Sequence, residues 1–167
     1  MSYDDNVIDR IAGVAPGSAL YDLRGEREEI LRLSETSHRA SLSPRDPGQL
    51  SPALRAALAA RMARLLKDAA GAAHYDALLA RAAPDAPIAA LADPGHAPDD
   101  PRLAEIIRRV DLLTLTPEAA TREDVERLRA AGLEDPSIVT LTGLVAFVNY
   151  QLRVAAGLRM LKGAAPR

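Results

Sequence analysis

An uncharged run near the end of the chain constrains the fold more than any other feature. No charged residue occurs between Ile138 and Tyr150, and the run begins just after Asp135-Pro136. Aspartate is a good helix cap, and proline suits the first helical position because the N–H that it lacks has no intrahelical acceptor there. The length of the run and its proline start favour a helix over a strand. We expect this helix to be buried on most of its surface.

A second cap-and-proline pair, Thr116-Pro117, precedes this helix, and Gly132 lies between the two. Glycine commonly adopts the left-handed conformation that ends a helix. Residues 116–161 are therefore predicted to form a short helix, a glycine stop and a long apolar helix. The uncharged run is too short to span a bilayer, and Asn149, Gln151 and Arg153 follow closely, so no membrane segment is expected.

The rest of the chain is patterned for helices joined by turns. A short helix over residues 4–12, ended by Gly13, and a helical region over 18–38, broken at Gly25, form a predicted N-terminal arm, residues 1–49. Ser51-Pro52 begins the main helical domain, residues 50–167, and Asp100-Pro101 begins another of its helices. A further helix is predicted over 69–82, followed by a loop over 83–101.

Composition agrees with an all-α protein and excludes several functions. Aromatic residues make up only 3% of the chain while hydrophobic residues make up 48%, mostly alanine and leucine, which indicates close helix–helix packing. The net charge of −2 leaves no basic surplus for a phosphate backbone, so nucleic-acid binding is not expected. The acidic N-terminus has no signal-peptide core, which favours a cytoplasmic location. The absence of cysteine excludes thiol redox chemistry, and no cofactor is predicted.

Asn149 and Arg153 are polar residues four positions apart in the apolar helix, so they share one face. They are candidates to line a pocket or bind an anionic ligand. Alternatively, they support the fold by satisfying a neighbouring helix end, together with an acidic residue such as Asp111 or Glu118. We favour the structural interpretation.

The segment His74-Tyr75-Asp76 offers an imidazole, a phenol and a carboxylate. His74 and Tyr75 are candidate catalytic residues, although consecutive helical residues point about 100° apart and all three cannot reach one substrate. His38 and His96 are expected in loops. Three histidines without close spacing do not predict a metal site.

The segment AFVNYQLRVAAGL, after the turn AAGLEDPSIV, resembles the C-terminal helical hairpin of the alkylhydroperoxidase D-like, or carboxymuconolactone decarboxylase, superfamily. The peroxidase-related branch, with AxFNxxNRxAxGL after AAGLSDExI, is the most similar. The residues on that pattern are Ala146, Asn149, Arg153, Ala155, Gly157 and Leu158. Val148 replaces the phenylalanine and Leu152 the second asparagine. The resemblance covers residues 112–161 well and 50–82 loosely, and it implies a bundle of about seven or eight helices.

The resemblance also implies a reactive site whose key residues are missing. Active relatives carry a glutamate, a C-x-x-C motif and a histidine in the region that matches residues 50–82. An ungapped alignment places Ala56 at the glutamate, Asp68 and Gly71 at the cysteines, and Tyr75 at the histidine; a shift of one residue brings His74 there instead. Without a sulfur, thiol peroxidase activity is not expected.

Two functions remain open at this stage. The first is a redox-inactive member that serves as a small-molecule-binding or structural subunit, with Asp68, Asn149 and Arg153 as pocket or support residues. The second is a thiol-independent, decarboxylase-like or peroxidase-related enzyme that uses His74 or Tyr75 as an acid or base. The resemblance further implies a homo-oligomer and allows a cysteine-bearing paralogue as a partner.

Overall fold

The computed structural model describes residues 6–163, and all regular secondary structure in that range is helical. The nine α-helices are α1 (Val7–Ala12), α2 (Ala19–Gly25), α3 (Glu28–Leu42), α4 (Pro52–Leu65), α5 (Ala69–Arg81), α6 (Ala86–Ala90), α7 (Pro101–Leu115), α8 (Arg122–Ala130) and α9 (Asp135–Gly163). Seven of them have seven or more residues, which confirms the prediction of an all-α bundle of about seven or eight helices.

Several of these helices are capped at their N-termini by short polar side chains. The Ser51 and Asp100 side chains accept backbone N–H groups at the starts of α4 and α7, and Pro52 and Pro101 follow as the first helical residues. The predicted starts of both helices are thus confirmed. The predicted glycine stops are also confirmed, since φ is 66° at Gly13 and 88° at Gly132.

Two predicted caps are wrong. Thr116 makes no side-chain cap, and Pro117–Ala119 forms only a 3-10 turn. The next α-helix begins later because Asp124 accepts the backbone N–H of Thr121 at 2.8 Å and so stabilises a start there. Asp135 lies inside the first turn of α9, and its carboxylate accepts a hydrogen bond from Arg129 instead of capping the helix.

The core is built around α4. Every residue from Leu54 to Ala63 is buried, and α4 packs against α3, α5, α6, α7 and α9. Five of these residues are alanines, which allow neighbouring helices to approach closely. The buried Arg61 donates to both carboxylate oxygens of Asp111 at 2.7 Å and to loop carbonyls near Asp93, which holds the loop before α7 against the core.

One face of α9 is exposed, so the expectation that this helix is buried on most of its surface is wrong for that face. Seven of its exposed residues form a row, here called the outer stripe, at alternating spacings of four and three: Val139, Gly143, Ala146, Tyr150, Arg153, Gly157 and Met160. By length and composition alone α9 is apolar enough to cross a bilayer. Half of its most apolar window is nevertheless buried within the protein, and a core helix meets the same criterion.

The N-terminal helices pack onto α9 of the same chain. Val7, Ile8 and Ile11 of α1 are buried in a cluster with Ala155 and Leu158 of α9. The Arg159 guanidinium also donates to the carbonyl of Ile11 at 3.1 Å. Within residues 6–163 the predicted arm therefore covers the C-terminal half of α9.

Candidate functional site

His74 and Tyr75 lie on α5 and form a polar cluster with His38 of α3 and Gln151 of α9, in which all members are buried except the half-buried His74. The Tyr75 hydroxyl donates to Oε1 of Gln151 at 2.9 Å, and Nδ1 of His38 lies 3.4 Å from the same oxygen. The rings of His38 and His74 are 5.3 Å apart, and those of His74 and Tyr75 are 5.1 Å apart. We call these four residues the histidine–glutamine cluster.

Burial keeps this cluster uncharged. Tyr75 and Gln151 are both fully buried, and desolvation raises the pKa of the Tyr75 phenol. Desolvation, with a smaller contribution from the charge of His38, lowers the pKa of His74 to about 4. The pKa of His38 is also lowered by burial. At neutral pH both imidazoles are therefore neutral, and the phenol keeps its proton.

Two polar atoms of the cluster have no hydrogen-bond partner, namely Nε2 of His74 and Nε2 of Gln151. Asp76 does not belong to the cluster, because its carboxylate accepts a hydrogen bond from Arg64 at 2.8 Å. This divergence of His74 and Asp76 agrees with the angle between successive helical residues. The cluster can act as a neutral hydrogen-bonding centre but lacks a carboxylate to orient a catalytic histidine.

Sequence reasoning misjudged two members of the cluster. His38 was expected in a loop, but α3 continues to Leu42 and buries His38 against α9. Gln151 was noted only as an interruption of the apolar run. A signal for it existed, because a neutral amide beside the apolar Leu152 in a core helix requires buried partners.

Asn149 and Arg153 contact each other, but not the histidine–glutamine cluster. Nη1 of Arg153 donates to Oδ1 of Asn149 at 2.5 Å, and Nδ2 of Asn149 donates to the carbonyl of Val145 at 3.0 Å. Asn149 is buried, whereas Arg153 is exposed. Gln151 lies two positions from each of them and hence points to a different side of α9.

The expectation that an acidic residue such as Asp111 or Glu118 contacts Arg153 is wrong. Asp111 is engaged by Arg61, and no contact joins Glu118 to Arg153 in the described part of the chain. Arg153 therefore bonds within its own helix, where an exposed interaction contributes little to stability.

Asp68 supports the start of α5. Its Oδ1 accepts the backbone N–H of Gly71 at 2.9 Å, which caps the helix, and its Oδ2 accepts a hydrogen bond from Arg159 at 2.5 Å. The carboxylate therefore connects the start of α5 with the C-terminal half of α9. Because both carboxylate oxygens accept hydrogen bonds within the fold, Asp68 has a structural role.

Gly71 lies where the α5 start meets α9, and a side chain there would require the buried Leu152 to move. A Cβ atom at Gly71 would lie 2.4 Å from Cδ2 of the buried Leu152, 3.3 Å from Cγ of Asp68 and 3.4 Å from Cβ of Ala63. Such a contact with Leu152 is far closer than van der Waals separation. The position that the resemblance assigns to a cysteine is thus filled by the core.

A separate groove of about 630 Å³ opens between α7, α8 and α9. Its lining residues are Arg109, Val125, Arg129, Asp135, Ile138, Val139, Thr142 and Gly143. None of the five predicted site residues, Asp68, His74, Tyr75, Asn149 and Arg153, belongs to this lining. Within residues 6–163, no group of three acidic or histidine side chains is arranged to hold a metal ion.

Compared with known proteins, the chain matches no family model and no curated protein. Its resemblance to the alkylhydroperoxidase D-like superfamily therefore depends on the sequence pattern around Asn149 and Arg153.

Proposed function

We propose that the chain is a redox-inactive, cytoplasmic member of the carboxymuconolactone decarboxylase-like superfamily that serves as a small-molecule-binding or structural subunit. The observation that carries this proposal is the packing at Gly71. There, Leu152 occupies the space that a reactive side chain would need. The absence of cysteine supports the same conclusion, because a thiolate and its resolving thiol are both required for disulfide-forming peroxide reduction.

The test is peroxide turnover by the purified chain. With a dithiol reductant and hydrogen peroxide, we expect consumption no faster than in buffer alone, because no side chain can form the sulfenate intermediate. A cysteine-bearing thiol peroxidase in the same assay shows that the reagents work. Turnover above the buffer rate would contradict the proposal.

The chain is also proposed to assemble as a homo-oligomer through the outer stripe of α9. Val139 is 72% exposed, Tyr150 44% and Met160 77%, and all three lie along one face of α9, as in an apolar interaction surface. The stripe repeats every seven residues, as in helices that pair along a common seam, and Arg153 is its charged member. A cysteine-bearing paralogue is the proposed second partner, and co-purification from the native cell followed by mass spectrometry would identify it.

A thiol-independent enzyme of the lactone-decarboxylase kind is the second candidate. It is favoured by one observation, the neutral imidazole of His74 with an unpartnered Nε2. A carboxylated lactone should then release CO2 in the presence of the protein, and His74→Gln should abolish that release while the chain stays folded. The absence of CO2 release from the wild type would eliminate this candidate.

A further inference from the structure

The groove between α7, α8 and α9 is lined by a buried arginine, Arg109, that takes no part in the histidine–glutamine cluster. We call it the Arg109 groove. Its walls are formed largely by Val125 of α8 and by Ile138 and Val139 of α9. The Thr142 hydroxyl donates to the carbonyl of Ile138 at 3.0 Å, so its proton is not available to a ligand in the groove. The groove thus combines apolar walls with two guanidiniums, of which that of Arg129 is paired with Asp135.

Arg109 differs from the other buried arginines in having unused donors. Arg55 donates to three backbone carbonyls, and Arg61 donates to Asp111 and to loop carbonyls. The Arg109 side chain is only 8% exposed, but its Nε and Nη1 atoms make no hydrogen bond. Leaving the donors of a buried charged group unpaired is costly.

The surrounding carboxylates do not satisfy Arg109. The nearest is Asp124, whose Oδ2 lies 3.9 Å from Nη1, beyond hydrogen-bonding distance. Asp124 instead accepts hydrogen bonds from Arg108 at 2.7 Å and from the backbone of Thr121. At the rim of the groove, Asp135 pairs with Arg129 at 2.7 Å.

We propose that the Arg109 groove binds a small organic anion with an oxyanion headgroup and an apolar body. The headgroup accepts hydrogen bonds from the Arg109 guanidinium, and the apolar body packs against Val125, Ile138 and Val139. A groove of about 630 Å³ lies within the usual size range of small-molecule sites. The inference gives the proposed binding role a location and a ligand class, and to that extent it rests on that role.

Benzoate and benzenesulfonate are suitable probes, with benzamide as an uncharged control of similar size. Titration calorimetry should detect millimolar binding of both anions and none of benzamide. Arg109→Met should weaken anion binding at least about tenfold, as expected for the loss of hydrogen bonds from a charged donor. The same substitution should leave the melting temperature of the ligand-free protein unchanged or higher, because it removes a buried guanidinium whose Nε and Nη1 donors make no hydrogen bond and whose ion pair with Asp124 is long.

Val125→Trp provides a second variant that does not alter the arginine and lies outside the outer stripe of α9. Val125 lines the groove from α8, so the larger indole should fill part of the groove and block the probes. The inference fails if neither anion binds the folded wild type, or if Arg109→Met binds them as tightly. It also fails if folded Val125→Trp binds the anions as tightly as the wild type does. The peroxide assay is independent of all these outcomes.

Discussion

Gln151 is a fully buried amide whose two ends have different surroundings. Its Oε1 accepts the Tyr75 hydroxyl and lies near His38, whereas its Nε2 has no partner. An amide in such a place is tolerated because the Tyr75 hydroxyl would otherwise be buried without an acceptor. The two side chains should therefore depend on each other energetically.

We expect Tyr75→Phe to lower the free energy of unfolding by about 1–2 kcal/mol, because one buried hydrogen bond is lost. Gln151→Leu should cost about 1–3 kcal/mol, since it leaves the Tyr75 hydroxyl unpaired. The double variant should be more stable than the sum of the two effects predicts, by about 1 kcal/mol. Urea denaturation of the four proteins measures this coupling, and additive effects would show that the hydrogen bond contributes nothing.

Substitution of Gly71 tests the packing on which the proposed function depends. Gly71→Ala should destabilise the fold by about 1–3 kcal/mol, because its Cβ forces the buried Leu152 to move. Gly163→Ala is the control, since a Cβ there meets no atom within 4 Å and Gly163 lies at the exposed end of α9, outside the outer stripe. Thermal unfolding should show a lower melting temperature for the first variant only. Equal melting temperatures would mean that the space at Gly71 is not restricted.

At the scale of the elements, α9 has both a buried and an exposed side. The buried side faces α3, α4 and α7, and the C-terminal half contacts α1. The residues of the outer stripe are exposed, although Val139 and Gly143 at one end also border the Arg109 groove. The small residues Gly143, Ala146 and Gly157 would let another helix approach closely.

We expect the protein to be an oligomer in solution by light scattering, and Ala146→Glu to reduce its mass to that of a monomer by placing a charge in the middle of the stripe. Ala73→Glu is the control, because Ala73 is also an exposed helical alanine but lies on α5. A monomeric wild type, or an Ala146→Glu variant of unchanged mass, would contradict assembly through this stripe.

Most helices could be predicted because their ends have local causes. Ser51-Pro52 and Asp100-Pro101 combine a cap with a suitable first residue, and each begins a helix as predicted. Thr116-Pro117 has the same form but begins only a 3-10 turn, since the nearby Thr121 and Asp124 form a competing start. The local sequence pattern alone does not show at which of two such neighbouring positions the helix begins.

The histidine–glutamine cluster was harder to predict than the helices. Its Tyr75–Gln151 contact joins residues 76 positions apart. Such a contact depends on how α5 and α9 pack, and the hydrophobic pattern of each helix alone does not determine it. The burial of Arg109 was equally hard to predict, because an arginine on an amphipathic helix normally faces solvent. Only the packing of α8 and α9 beside it reveals that its donors are buried.

At the scale of the whole molecule, α9 connects the N-terminal helices with the core. It lies in the cluster around Ile8 and Ile11 through its C-terminal half and in the main core through its N-terminal half. The histidine–glutamine cluster lies between these two regions, where α3 and α5 both meet α9. Protonation of its histidines should therefore weaken the contact between the N-terminal helices and the core.

Stability should fall as the pH is lowered from neutral towards 4. The pKa of His74 is about 4 in the folded protein but 6.5 when unperturbed, so the unfolded state binds protons more strongly in this interval. For His74 alone the loss is about 2 kcal/mol between pH 7.5 and pH 5. His38, whose pKa is also lowered, acts in the same direction, whereas the raised pKa of Asp9 opposes it at the acidic end.

Urea denaturation at the two pH values measures this loss, and His74→Phe isolates the contribution of His74. Phenylalanine keeps an aromatic ring beside His38 and Tyr75 but cannot take up a proton, so the difference in stability between the two pH values should shrink by at least about half. The remaining difference belongs to His38 and to other groups. If His74→Phe instead loses as much stability between the two pH values as the wild type does, burial does not protect the His74 imidazole from protonation in the folded chain. The cluster would then not make the packing of α3 and α5 on α9 depend on pH.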